Sequence, residues 1–344
     1  MLSKLKLPIP FIESTPWSTI ISGEPATLTL LLFFAILLAL ESHFPREKLS
    51  TKQLRQSYQT NIGLFVFNIT VFSFLSVSSL LMLAEPYSDK GLLNSIRNPL
   101  GKAILSFLLL DLLLYLWHKA SHSFDCLWMF HKVHHNDPYL NVTTAFRVHL
   151  LELLATTALK AVYIILLGVD QVMLLTNEAI ITFFVMFHHT NISIKSEKLL
   201  GRIIIVPSLH RVHHSTQRNE HDCNYGAVLS LWDRLFGTLA ELKPAAIGIK
   251  GHSPQDLIAL IKFGFTMETL PAIQPISLET MIAEAAYYKA ERRNFSPGYE
   301  IHDWLEAKRE IIKLTSPDKP GNWSRNKAFD FLKLRCAINQ TKSG

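Results

Sequence analysis

The chain has 344 residues, of which 49% are hydrophobic and 18% charged, with a formal net charge of +6 and a mean hydropathy of +0.20. That balance points to a membrane protein before any motif is read. No basic stripe with interleaved aromatics appears, so the charge reads as the basic rim of a membrane protein and excludes a nucleic-acid partner. The sparse, odd set Cys126, Cys223 and Cys336 forms no C-x-x-C and argues against a disulfide framework.

Pro8, Pro10 and Pro16 precede the first apolar run, and no small-residue cleavage site follows it. The run therefore reads as a retained helix and not as a cleaved signal. Five apolar segments follow in order, at roughly 25–42, 62–84, 103–117, 150–169 and 172–187. The second, "IGLFVFNITVFSFLSVSSLLMLA", is long enough to span a bilayer. The third carries Asp111. The last two carry Glu152, Lys160, Asn177 and Glu178, which predicts bent, interfacial or re-entrant segments. The expected fold is all-α, an integral membrane protein with four to five hydrophobic helices and a histidine-rich helical cap.

Segments four and five leave and return, so all histidine clusters share one face. The loop "HFPREKLSTKQLRQ" lies on that face with four Lys/Arg, and Lys119, Lys132, Lys195, Lys198, Arg202, Arg211 and Arg218 join it. The opposite loop, 85–102, carries three. The positive-inside rule places the clusters in the cytoplasm. Past residue 240 the character changes. The expected division is a membrane-embedded catalytic domain over 1–240, a linker region over 241–275 and a soluble helical tail over 276–344.

Twelve of the fifteen histidines fall between His118 and His221. They form "HKASH" (His118, His122), "HKVHH" (His131, His134, His135), "HH" (His188, His189) and "HRVHH" (His210, His213, His214). On a helix, residues four apart share a face, so His118 and His122 can converge on one metal. In H-x-x-H-H the first and last histidines share a face and the middle one is turned by about 100°. Adjacent histidines can then address different ions, and eight imidazoles are more than one ion uses. A dinuclear site follows. The absence of H-E-x-x-H excludes a zinc protease signature, and structural zinc stops at four ligands. Iron suited to oxygen chemistry is the reading for an all-imidazole site of this size.

At these residues the chain resembles the fatty acid hydroxylase and sterol desaturase superfamily of integral membrane di-iron enzymes, in a bacterial branch similar to alkylglycerol monooxygenase. The resemblance covers roughly 100–240 and rests on the three boxes in order, with "FHKVHHND", "NVTTAFRVHLLE", "FHHTNI", "LHRVHHS" and "DCNYGAVLSLWDRLFGT". It implies an extra ligand in an H-x-N segment, which His189 and Asn191 match. It also implies two iron ions, dioxygen, a separate electron-donor protein, and hydroxylation or desaturation of a lipid C–H bond. The stretch 281–311 resembles a short helical bacterial domain of unknown function, which suggests a bacterial inner-membrane protein. His302 and Trp304 within it read as packing or capping residues.

Around the ligands, Asp111 and Tyr115 share a helical face with His118 and His122. One of them is expected to hydrogen-bond a ligand imidazole and fix its tautomer, the alternative being a helix–helix hydrogen bond. Glu152 reads equally as a partner for a ligand imidazole or as an ion pair with Arg147. Asp222 and Asn224 are further candidates beside the last box, whereas His221 is expected to face solvent. Trp232 and Phe236 read as membrane or core anchors in an amphipathic interfacial segment. No G-x-G-x-x-G before a helix and no C-x-x-C-H is present, so electrons must come from a separate partner. A histidine-rich transporter or sensor is the competing class. A bis-histidine haem protein would leave at least six histidines unexplained.

Overall fold

The computed structural model describes residues 17–74, 80–251, 253–266 and 278–315. The described chain is all-α, with only isolated β-bridges among those residues. It divides into two units, Met1–Leu270 and Pro271–Gly344.

The first unit begins with α1 (Trp17–His43), α2 (Thr51–Phe74) and α3 (Leu80–Tyr87). It continues through α4 (Pro99–Ser123), α5 (Asp125–His135), a 3-10 turn at Val142–Phe146, α6 (Leu150–Leu167) and α7 (Gln171–His189). Short helices follow: α8 (Glu197–Leu200), α9 (Pro207–His213), α10 (Arg218–His221), α11 (Leu231–Leu235) and α12 (Leu257–Phe263). Helices α4, α6 and α7 are long and apolar enough to cross a membrane, and the apolar part of α1, Thr27–His43, is shorter. At 1.5 Å per residue, an 18-residue helix covers about 27 Å, close to the hydrocarbon thickness.

Local chemistry sets the boundaries of the long helices. Asn98 caps α4 by accepting from Leu100 N and Gly101 N, and Pro99 takes the first helical position. Gly168 ends α6 in the left-handed region at φ 68°, and Asp170 caps α7 through Met173 N. The polar residues in these segments pair with one another and leave both helices continuous. Lys160 Nζ meets Glu178 Oε2 at 2.7 Å, while Asn177 Nδ2 donates to Ser106 Oγ, itself 2.6 Å from Tyr163 OH. The apolar text 62–84 is carried by two helices, the second half of α2 and the short α3, with 75–79 outside the described residues.

The membrane core packs Leu110, Tyr163, Ile164, Leu174 and Ile181 against Ala84 of α3. Apolar side chains on the opposite faces, among them Leu31, Ile36, Leu116, Val162 and Leu166, are exposed. That distribution suits helices whose outer solvent is lipid. Above the core, α5, the 3-10 turn and α9–α12 form the helical cap. The part of 241–275 that is described, through Thr266, is packed into this unit: Leu260 and Phe263 of α12 bury against Leu64 of α2 and Val133 of α5. Lys132 Nζ, on a fully buried side chain, donates to Thr266 O and Oγ1 at 2.8 Å and lies over the Phe263 ring.

In the second unit α13 (Leu278–Arg292) and α14 (Glu300–Thr315) form a helical hairpin. Its core is Ile282, Ala307 and Ile311, flanked by pairs from Lys289 to Glu306 and Glu310 and from Arg293 to Asp303. His302 and Trp304, read above as packing or capping residues, stand on the exposed face of α14, because Asp303, Ala307 and Ile311 occupy the inner one. The tail beyond 315, with Cys336, lies outside the described residues.

Candidate metal centre

Four helices bring nine imidazoles into two adjoining groups. His118 and His122 come from the last turns of α4, His131, His134 and His135 from α5, and His189 from the end of α7. His210 and His213 lie in α9, with His214 at its C-cap. His118, His122, His131, His135 and His213 form one group, and His134, His189, His210 and His214 form the other. Within each group the ligand-capable atoms lie within 4.8 Å of one another. Each H-x-x-H-H box is split by the helical period, its outer pair facing one group and its middle histidine the other.

Eight of these side chains are buried, and His118 is partly so. Burial holds the His131 and His134 rings down to about 3, with the neighbouring His131 adding to the effect at His134. Both are therefore neutral at pH 7 and free to offer a lone pair.

The tautomers are fixed from outside. His118 Nδ1 lies 2.9 Å from the Tyr225 carbonyl, His213 Nδ1 2.7 Å from the Cys223 carbonyl and His189 Nδ1 2.6 Å from the Val185 carbonyl. His131 Nδ1 lies 2.6 Å from Glu152 Oε1, His134 Nδ1 3.3 Å from the Arg147 carbonyl and His122 Nδ1 3.4 Å from Asp222 Oδ1. Every one of these acceptors places the proton on Nδ1 and leaves Nε2 as the lone-pair nitrogen.

The Nε2 atoms then point inward. Those of His118, His131 and His213 are buried with no hydrogen-bond partner among the described residues. In the four-histidine group, Nε2 atoms meet at 3.0 Å (His134–His189), 2.9 Å (His189–His210) and 3.1 Å (His210–His214). Neutral rings bonded only to one another would leave most of these lone pairs opposed. An ion about 2.1 Å from two nitrogens at a right angle separates them by about 3.0 Å, so the convergence fits a metal. The donor set is all nitrogen and suits a first-row transition ion.

The surroundings differ from the sequence expectation at several positions. Asp111 and Tyr115 touch no imidazole. Asp111 accepts from Val228 N, Leu229 N and Trp232 Nε1, and Tyr115 OH pairs with Thr238 Oγ1. They brace the 225–238 loop, whose Tyr225 carbonyl then reaches His118. Phe236 stacks on the Tyr115 ring while remaining exposed on its other side. Asn191 binds Arg211 Nη2 and the Glu47 backbone, and Asn224, at φ 54°, binds Leu209 O and Ala240. His221 is buried, with its ring stacked on Trp128 and its Nδ1 near Ser215 O. Glu152 Oε1 pairs with His131 Nδ1, while the Arg147 guanidinium bonds Val133 O, Asn61, Asn136 O and Gln255. His189 joins the four-histidine group, whereas His188 packs its ring 4.0 Å from that of His210 outside it.

Arg147 is the main contributor that the sequence reading missed. Its side chain is fully buried. Nε donates to Val133 O, Nη1 to Asn61 Oδ1, and Nη2 to Asn136 O and Gln255 Oε1. Asp137 balances the charge. Burial alone would raise its carboxyl, but the guanidinium and the donors Asn61 and Thr144 hold it below the usual range. The place of Arg147 inside the segment "NVTTAFRVHLLE" was the signal in the sequence.

Residues 103–238 match the fatty acid hydroxylase family. Residues 277–312 match a protein family of unknown function, DUF2934. The chain is 31% identical to an ornithine lipid hydroxylase of Rhizobium tropici over 56% of its own length and 60% of that protein. It is 33% identical to the alkylglycerol monooxygenase of Danio rerio, over 40% of this chain and 30% of that one. With the cholesterol 25-hydroxylase of Rattus norvegicus it shares 24% identity over 51% of this chain and 56% of the relative. The chain thus spans between about a third and three-fifths of these curated relatives. No solved structure matches. The chain thus carries, over 103–238, a region that matches the fatty acid hydroxylase family, followed by a segment that matches DUF2934.

Proposed function

We propose that this chain is a membrane-bound di-iron oxygenase that uses O2 and external electrons to hydroxylate, or desaturate, a C–H bond of a lipid. The convergence of nine imidazoles, eight of them buried and His118 partly so, into two groups carries the reading. The names of the relatives support a lipid substrate, which we place among fatty acyl, sterol-like and ether lipids. The proposed ligands are His118, His122, His131, His135 and His213 for one ion and His134, His189, His210 and His214 for the other. The proposed catalytic unit runs through Thr266, and the centre faces the cytoplasm of a bacterial inner membrane.

Iron bound there supplies the activation of O2 and the attack on an unactivated C–H bond. The chain's own residues do the rest. Glu152, Asp222 and the carbonyls of Tyr225, Cys223, Arg147 and Val185 hold protons on Nδ1 and aim Nε2 inward. Burial keeps water from the imidazoles and keeps them unprotonated. Apolar faces of the membrane helices give a lipid chain its approach, and a separate protein supplies the electrons.

Iron analysis of purified wild type and His134→Ala, with lipid profiling under air and under anaerobic conditions, tests this reading. About two irons per chain, and an oxygenated or newly unsaturated lipid that vanishes in the variant and without air, are expected. Little iron, or lipid profiles indifferent to both O2 and His134, would favour a histidine-rich membrane transporter or sensor instead.

A further inference from the structure

The two histidine groups are not braced alike. In the five-histidine half, four rings have a second contact on Nδ1: His118, His122, His131 and His213. In the four-histidine half only His134 and His189 have one, while the Nδ1 atoms of His210 and His214 are buried without a partner among the described residues. Fewer ligands and fewer braces both weaken a site, since outer partners hold ring orientation and raise ligand basicity.

His134 is therefore disproportionately important to its half, and Arg147 controls it from two directions. The Arg147 carbonyl takes His134 Nδ1, and the guanidinium grips the carbonyls of Val133 and Asn136 at the end of α5. A cation at a helix C-terminus is well placed electrostatically, and the fork can hold several acceptors at once where a lysine cannot. Asn61 of α2 and Gln255 anchor the same fork, so the position of His134 is tied to two other segments of the unit.

We infer that the two halves hold metal unequally, the five-histidine half more tightly, and that Arg147 is the positioning residue that sets how firmly the four-histidine half keeps its ion. This rests on the two-metal reading above. The test is graded chelation of the iron-loaded full chain in lipid nanodiscs, with metal per chain and the iron absorption-edge spectrum followed at each step. Wild type should lose one ion well before the other. Arg147→Lys should move that early phase to lower chelator by about 10-fold or more, with the late phase unchanged. Glu152→Gln, which loosens His131, should do the reverse and move only the late phase.

Release of both ions in one phase from wild type would overturn the inference. So would an early phase that Arg147→Lys leaves in place, or a shift of both phases together while helical content is retained. If Arg147→Lys does not fold, Asn61→Ala removes a single partner of the fork and must still move the early phase alone. A wild type that holds no iron would defeat the oxygenase reading itself, a result distinct from all of these.

Discussion

His134 and His135 are neighbours in the chain, yet they face different halves of the centre, and their burial sets the pH response of the protein. An unfolded chain protonates the His131 and His134 rings near pH 6.5, whereas the folded one resists until about 3. Their folded values are depressed, so the unfolded state binds more protons throughout that window. Stability is therefore fully present above about 6.5 and drains away as pH falls towards 3. Each ring removes about 2 kcal/mol by pH 5 at 1.36 kcal/mol per unit. Protein stripped of metal should show a melting temperature that drops steadily between pH 7 and pH 5 in a fluorescence melt. A flat profile would mean that these rings are hydrated in the folded state. At this scale the two histidine groups were legible because their spacing encodes a helical face. Their braces were less so: Glu152 and Asp222 show as side chains, but the Tyr225, Cys223 and Arg147 contacts are backbone carbonyls, which every residue possesses. Asp111 and Tyr115 share the histidine face by periodicity, but neighbouring loop residues claimed them first.

Among the elements, α12 shows what composition conceals. Its surrounding text reads as a linker because Gly, Pro and Lys punctuate it, yet Gln255, Leu260, Phe263 and Thr266 all dock on the histidine cap. Tertiary contact decided the matter, and no local pattern announces it. Gly264 closes α12 against the His149 ring, where an added Cβ would sit 2.4 Å from the ring carbon Cδ2. That ring caps α6 through Leu151 N and stacks on Phe130, so it has little room to yield. Gly264→Ala should destabilise the first unit by about 1–3 kcal/mol, read as a lowered melting temperature. An unchanged melt would show that α12 can slide on α5. The long helices, by contrast, were readable from their apolar runs, and the charged residues within segments four and five signalled pairing, not bending.

For the whole molecule, the proposed cytoplasmic placement of the histidine cap rests on the surplus of Lys and Arg in the loops beside it. Cys126 is exposed at the start of α5 and Cys223 is buried, so Cys126 reports on that face. In a Cys336→Ser background, a membrane-impermeant maleimide should label Cys126 in inside-out vesicles and spare it in intact cells. The opposite pattern would invert the topology. Orientation is a property of summed loop charge, which is why sequence could address it while remaining blind to how the loops pack.

The attachment of Gln255 and Thr266 to the cap also orders the life of the protein in time. A ribosome delivers all nine histidines by residue 214, but the residues that clamp Arg147 and Lys132 emerge some forty to fifty positions later. A nascent chain thus carries all nine imidazoles before Gln255 and Thr266 have been made. Metal acquisition that waits for this last segment would be protected from premature capture of the wrong ion.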